Sequence, residues 1–126
     1  MRKTKTHRQS VGAWGEQVAE TYLTSRGWQI LGKNLRTPYG EIDILARQGD
    51  QLVFVEVKTR TSVSFGLPEA SINVKKQIHM IHAAEAYLQA SPDLGEVSWR
   101  IDVIAILGKP GDPLPPAIEV FENALS

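Results

Sequence analysis

Residues 40–60 read G-E-I-D-I-L-A-R-Q-G-D-Q-L-V-F-V-E-V-K-T-R, and their alternation decides the fold. Glu41–Arg47 and Gln51–Thr59 have the two-residue period of β-strands, and Gln48-Gly49-Asp50 between them carries a hairpin signal. In the second strand Leu52, Phe54, Glu56 and Lys58 share one face, and Val53, Val55, Val57 and Thr59 share the other. Both faces begin apolar, which predicts a central strand. If Gly49-Asp50 is a two-residue turn with glycine first, Gln48 pairs with Gln51. Leu45 then lies opposite Phe54, Asp43 opposite Glu56 and Glu41 opposite Lys58. Directly opposed Cβ atoms stand ~5 Å apart. Two carboxylates so placed repel unless a cation or a proton lies between them. Lys58 relieves part of that charge, and a hard divalent cation relieves it better, because carboxylate oxygens and waters suit Mg²⁺. A three-residue loop would put the two sets on opposite faces. Taken alone, Glu56-Val57-Lys58 reads as a half-wet ion pair at the sheet rim.

Outward from this hairpin the elements follow from period and punctuation. Ala13 to Arg26 is helical, with Trp14, Val18 and Tyr22 at i, i+4, i+8, Ala19 and Leu23 beside them, and Gly27 as the stop. Glu16 lies at the border of that buried face. It reads either as a carboxylate looking toward the sheet or as a solvated first-turn acid favoured by the helix dipole. Trp28–Leu35 reads as a strand and Thr37-Pro38-Tyr39-Gly40 as a turn. Ser62–Leu67 is a loop. Pro68 to about Gln89 is a second helix, with Val74, Ile78, Ile81 and Leu88 on one face. Val97–Leu107 is a further strand, Lys109–Pro116 a Pro/Gly-rich turn, and the last ten residues a short strand or edge segment. The order αβββαβ is an α/β fold with a mixed central β-sheet flanked by helices. Residues 1–11 are polar and basic without a period, which predicts a flexible tail before a single domain at 12–126.

The chain of 126 residues has no cysteine, which excludes a disulfide scaffold and Cys-ligated zinc or iron–sulfur sites and fits a cytoplasmic protein. Its longest apolar run, Val103–Leu107, is far short of a membrane span, and no apolar segment follows the basic amino terminus as in a secretory signal. The net charge is zero but unevenly spread. Residues 1–60 carry ten Lys/Arg against six Asp/Glu and residues 61–126 carry four against eight, so the halves are +4 and −4. A basic half can attract a polyanion, or be no more than a solvated tail and chance.

The segment G-E-I-D-I-L, the twelve residues between Asp43 and Glu56, and then F-V-E-V-K-T-R resemble the PD-(D/E)xK nuclease superfamily. More closely, Gly12 to Leu107 resembles the YraN-like family of bacterial proteins, relatives of archaeal Holliday-junction resolvases. The proline of the superfamily name is Ile42 here; it is not a ligand position. The resemblance implies a restriction-endonuclease-like core and a metal-dependent DNA endonuclease, leaving a 5′-phosphate and a 3′-hydroxyl, with branched DNA as a candidate substrate. It implies that Asp43, Glu56 and the backbone carbonyl of Val57 hold Mg²⁺ or Mn²⁺. It also implies that Lys58 positions the attacking water and that Glu16 is the acidic residue that resolvase-like members carry on the first helix. Such chemistry needs a polarised phosphoryl oxygen and a stabilised leaving alkoxide. Junction resolution also needs two sites, hence a homodimer.

Around this core Arg60, Lys76 and Gln77 are candidate DNA contacts, and the same residues serve equally as surface solubility. Gln77 lies beside Val74 and Ile81 on the helical wheel. Asp102 either pairs with Arg100 on one strand face or supports the site. His79 and His82 stand at i, i+3 without an evident third ligand, so they read as surface or core histidines. Trp14, Trp28 and Trp99 read as core. A non-catalytic nucleic-acid-binding module and a structural adaptor are the competing functions.

Overall fold

The computed structural model describes residues 7–62 and 74–124, with side chains from residue 10 onward. In chain order these form α1 (His7–Ser25), β1 (Gln29–Thr37), β2 (Gly40–Gln48), β3 (Gln51–Arg60), α2 (Val74–Gln89), a single 3₁₀ turn at Pro92–Leu94, β4 (Ser98–Leu107) and β5 (Ala117–Phe121). The hairpin turns as its sequence requires. Gln48 pairs with Gln51, Leu45 with Phe54, and Gly49 supplies the left-handed φ of 58° that a glycine-first turn needs.

The strands lie in the order β1-β2-β3-β4-β5. β3 is central, antiparallel to β2 and parallel to β4; the two outer pairs are antiparallel. A parallel neighbour needs a crossover, and the segment containing α2 supplies it. The two faces of β3 are buried against different helices. Val53 and Val55 join Ile44, Ala46, Ile104 and Ile106 under Ala19 and Leu23 of α1. Leu52 and Phe54 join Leu45 and Ile101 under Ala83 and Ala84 of α2. Each large side chain so buried stabilises the fold by about 1.5–3 kcal/mol, the main force fixing both layers. Trp14, Trp28 and Trp99 all pack in these two clusters. Among the described residues no helix is long and apolar enough to cross a membrane.

Two expectations change. α1 begins at His7, so the stretch foreseen as tail contributes its first turn; residues 1–6 lie outside the described residues. His7 to Ser10 contains no apolar residue and therefore no period to read, yet extending a helix already nucleated costs little. The short edge strand foreseen in the last ten residues is β5, which pairs with β4. On α2, Val74 and Ile78 are exposed, at 69% and 46%, and the packed stripe runs through Met80, Ala83, Ala84, Tyr87 and Leu88. That stripe keeps the i, i+3, i+4, i+7 spacing but starts lower on the helix. Residues 68–73, foreseen as the start of this helix, and 63–67, foreseen as loop, lie outside the described residues.

Candidate active site

β2 and β3 pair only from Gln48↔Gln51 to Ile44↔Val55. Beyond that point β2 stays with β1, through Leu35↔Ile42 and Arg36↔Glu41, while β3 stays with β4 out to Arg60↔Leu107. The hairpin forks. Asp43–Glu56 and Glu41–Lys58 are therefore not ladder pairs, contrary to the expectation from register. In the hairpin's alternation the next hydrogen-bonded partner of Val57 would be Ile42. The Val57 N–H instead donates to Asp43 Oδ2 at 2.8 Å, so a carboxylate replaces a main-chain carbonyl where the strands part.

β1 shows the matching irregularity. Its pairing passes from Lys33↔Ile44 to Leu35↔Ile42, and Asn34, between them, has a left-handed φ of 53°. Ile44 packs under α1, whereas Ile42, two residues away, packs under α2. The period slips by one at Asp43, which carries this side chain into the fork.

The fork opens a cleft of about 670 Å³, lined by Glu16, Asp43, Glu56, Val57, Lys58 and Arg60 among others. α1 reaches the cleft because residue 15 is glycine: a Cβ there would overlap Thr59 Oγ1. That close approach carries the next residue, Glu16, onto the cleft wall. Asp43, Glu56 and Lys58 thus line one cleft together with Glu16.

Charge is compensated unequally across it. Glu56 is buried, and its Oε1 meets Lys58 Nζ at 3.4 Å and Lys76 Nζ at 3.2 Å. Asp43 lies among acids. Burial first, and then the neighbouring Glu56, push its carboxyl up to about 8; the Val57 N–H opposes this and Glu16 adds to it. Glu16 is also raised, by burial and by Glu41, against the relief of the Asn34 amide and Lys33. Glu16, Glu41 and Asp43 each bring one carboxylate oxygen within 4.8 Å of the others. This all-oxygen set suits a hard divalent cation. Lys33 of β1 forms an ion pair with Glu20 at 2.8 Å.

Of the candidate DNA contacts, Arg60 lines the cleft and Lys76 reaches Glu56. Gln77 is half-buried in the first turn of α2 and is not among the cleft's described lining residues. Asp102 takes the structural role. Arg100 donates to both its oxygens, at 2.9 and 3.1 Å, and the Asn123 N–H adds a third bond at 2.9 Å. His79 and His82 are exposed, and the His82 ring stands edge-on to Tyr39. Sequence reasoning missed Asn34 and the place of Glu41 beside Glu16. A signal existed: an asparagine inside a strand is a residue that tolerates left-handed backbone.

Residues 15–106 match the family described as "Uncharacterised protein family UPF0102". Similar proteins carry the same description. One, from Syntrophotalea carbinolica, is 46% identical over 79% of this chain and 80% of its own length. Another, from Caldanaerobacter subterraneus, is 42% identical over 84% and 86%. A third, from Dehalococcoides mccartyi, is 38% identical over 94% and 95%.

Proposed function

The chain belongs to the UPF0102 family, and we propose that this member is a metal-dependent DNA endonuclease that hydrolyses phosphodiester bonds, with branched DNA as its preferred substrate. The observation that carries the reading is the meeting of Asp43, Glu56 and Lys58 in one cleft, where the Asp43 carboxyl is pushed up to about 8 among other acids. A carboxylate in that position needs a proton or a cation. The resemblance of residues 40–60 to the PD-(D/E)xK nucleases and the YraN-like proteins supports the same assignment.

Asp43 and Glu56, with the main-chain carbonyl of Val57, would hold Mg²⁺ or Mn²⁺, which supplies polarisation of a phosphoryl oxygen and a more acidic water. Lys58 orients the attacking water and offsets charge growing on the phosphate; its contact with Glu56 fixes the ammonium at the cleft wall. Glu16 adds a carboxylate from α1. Arg60 and Lys76 are placed to meet flanking phosphates, and Gln77 is the weaker candidate for the same task. Paired cuts across a junction need two such clefts, so a homodimer is the working assembly. A DNA substrate implies work in the cytoplasm.

The test is a cleavage panel of branched, flapped, single-stranded and linear DNA with Mg²⁺ and Mn²⁺. Metal-dependent products with 5′-phosphate and 3′-hydroxyl ends are expected, in greatest yield from branched DNA. DNA binding that weakens with salt but is never followed by cutting would instead identify a non-catalytic binding module.

A further inference from the structure

We propose that Asn34 is a positioning residue for the metal centre: its side-chain amide holds the Glu16 carboxylate of α1 and the Glu41 carboxylate of β2 beside Asp43 while adding no charge of its own. The inference rests on the metal-dependent reading above. Asn34 lies within β1, but its φ of 53° is left-handed, and the β1–β2 pairing skips it opposite Asp43. Asparagine is one of the few residues with a side chain that adopt this conformation readily. With its nitrogen turned toward the two carboxylates that flank it, the amide donates to Glu16 Oε2 at 3.1 Å and to Glu41 Oε1 at 3.0 Å. An NH₂ group has two hydrogens, and both are used.

The choice of donor matters. A lysine or arginine here would also draw the two carboxylates together, but its charge would satisfy them and compete with a cation. The neutral amide fixes their geometry and leaves the negative charge in place. The adjacent cation, Lys33, is paired instead with Glu20. The amide also ties α1 to the end of β2 that has left β3, so the acids of two elements are held together across the fork. Outer hydrogen bonds of this kind orient ligands, and their loss typically weakens metal binding by 10–100-fold.

The test uses the full chain, with Mn²⁺ as the probe, read by titration calorimetry and by thermal melting with and without metal. Asn34→Gly keeps the left-handed backbone and removes the amide. It is expected to melt with the wild type in the absence of metal and to bind Mn²⁺ about 10-fold more weakly. Glu16→Gln is expected to weaken Mn²⁺ binding in the wild-type background and to add little in the Asn34→Gly background, a coupling that a purely structural role would not produce. Asn34→Asp keeps the shape and replaces the donor with an acceptor. It is expected to melt lower without metal and to gain more from Mn²⁺ than the wild type gains, which decides the matter if Asn34→Gly does not fold. Equal Mn²⁺ affinity in the wild type and Asn34→Gly overturns the positioning role and leaves the metal reading standing. An Asn34→Asp protein that melts as the wild type does in both conditions also overturns it. A wild-type protein that takes up no Mn²⁺ overturns both readings.

Discussion

Two acids stand on either side of the point where the β2–β3 hairpin forks, and the fold treats them oppositely: Asp102 of β4, level with the last pair Ile44↔Val55, and Asp43 of β2, just past it. Asp102, the register partner of Val55, is fully buried and fully served: Arg100 grips both oxygens, and the Asn123 N–H adds a further bond. The same guanidinium donates to Gln48 and Gln51 at 2.7 and 2.6 Å, locking the turn to β4. Its charged form is favoured by the bonds to Asp102. Beyond the fork, Asp43 receives the Val57 N–H and, among the described residues, faces Glu56 and Glu16. A buried acid with a guanidinium partner completes a structure, whereas a half-buried acid among acids leaves charge unmet until something else arrives.

Breaking the served acid's pairing should have the larger cost. Arg100→Ala strands the Asp102 charge in the core and is expected to destabilise the fold by about 3–5 kcal/mol, read from the urea midpoint. The corresponding loss at the forked end, Asp43→Asn, is expected to leave stability unchanged or raise it near pH 8. Equal losses at the two acids would erase the contrast.

The next effect is on rate. Lys58→Ala should lower cleavage by roughly 10²–10³-fold at saturating Mg²⁺ while leaving DNA binding in Ca²⁺ and the melting temperature close to wild type. One ammonium among several basic groups contributes little to phosphate affinity, but charge develops beside it in the transition state. Wild-type cutting by this variant would remove Lys58 from the chemistry.

A further effect is on pH dependence. The folded-state value of Asp43 lies above its ordinary 3.8, so the folded chain keeps a proton that the unfolded chain releases. The stability this contributes is whole below 3.8 and is lost as pH rises through about 8. Without added metal, Asp43→Asn should therefore flatten the fall of melting temperature across that window. Identical slopes in both proteins would show that Asp43 is not the group responsible.

The hairpin was legible because its two strands alternate cleanly and Gly49-Asp50 suits a two-residue turn with glycine first. That register brought Asp43 and Glu56 into view together, and Lys58 and Glu16 followed from period and resemblance. The fork was not legible. Alternation assumes that pairing continues, whereas here a side-chain carboxylate takes over from a main-chain carbonyl at Val57. The slip that sends Ile42 and Ile44 to opposite faces arises beside the left-handed backbone of Asn34, on a neighbouring strand, where no period of β2 could reveal it. The exposure of Val74 and Ile78 was equally hidden, because the wheel of α2 marks an apolar face without saying how far the sheet extends beneath it.

The forked end holds charge that a divalent cation should meet, and titration calorimetry at pH 8 tests this most directly. Mg²⁺ or Mn²⁺ is titrated into the wild type and into Asp43→Asn. Weak but measurable binding is expected for the wild type, because Mg²⁺ keeps most of its waters and uses few carboxylates, and the heat should vanish or fall sharply for the variant. Equal heats from the two proteins would contradict the assignment of the fork as a metal centre.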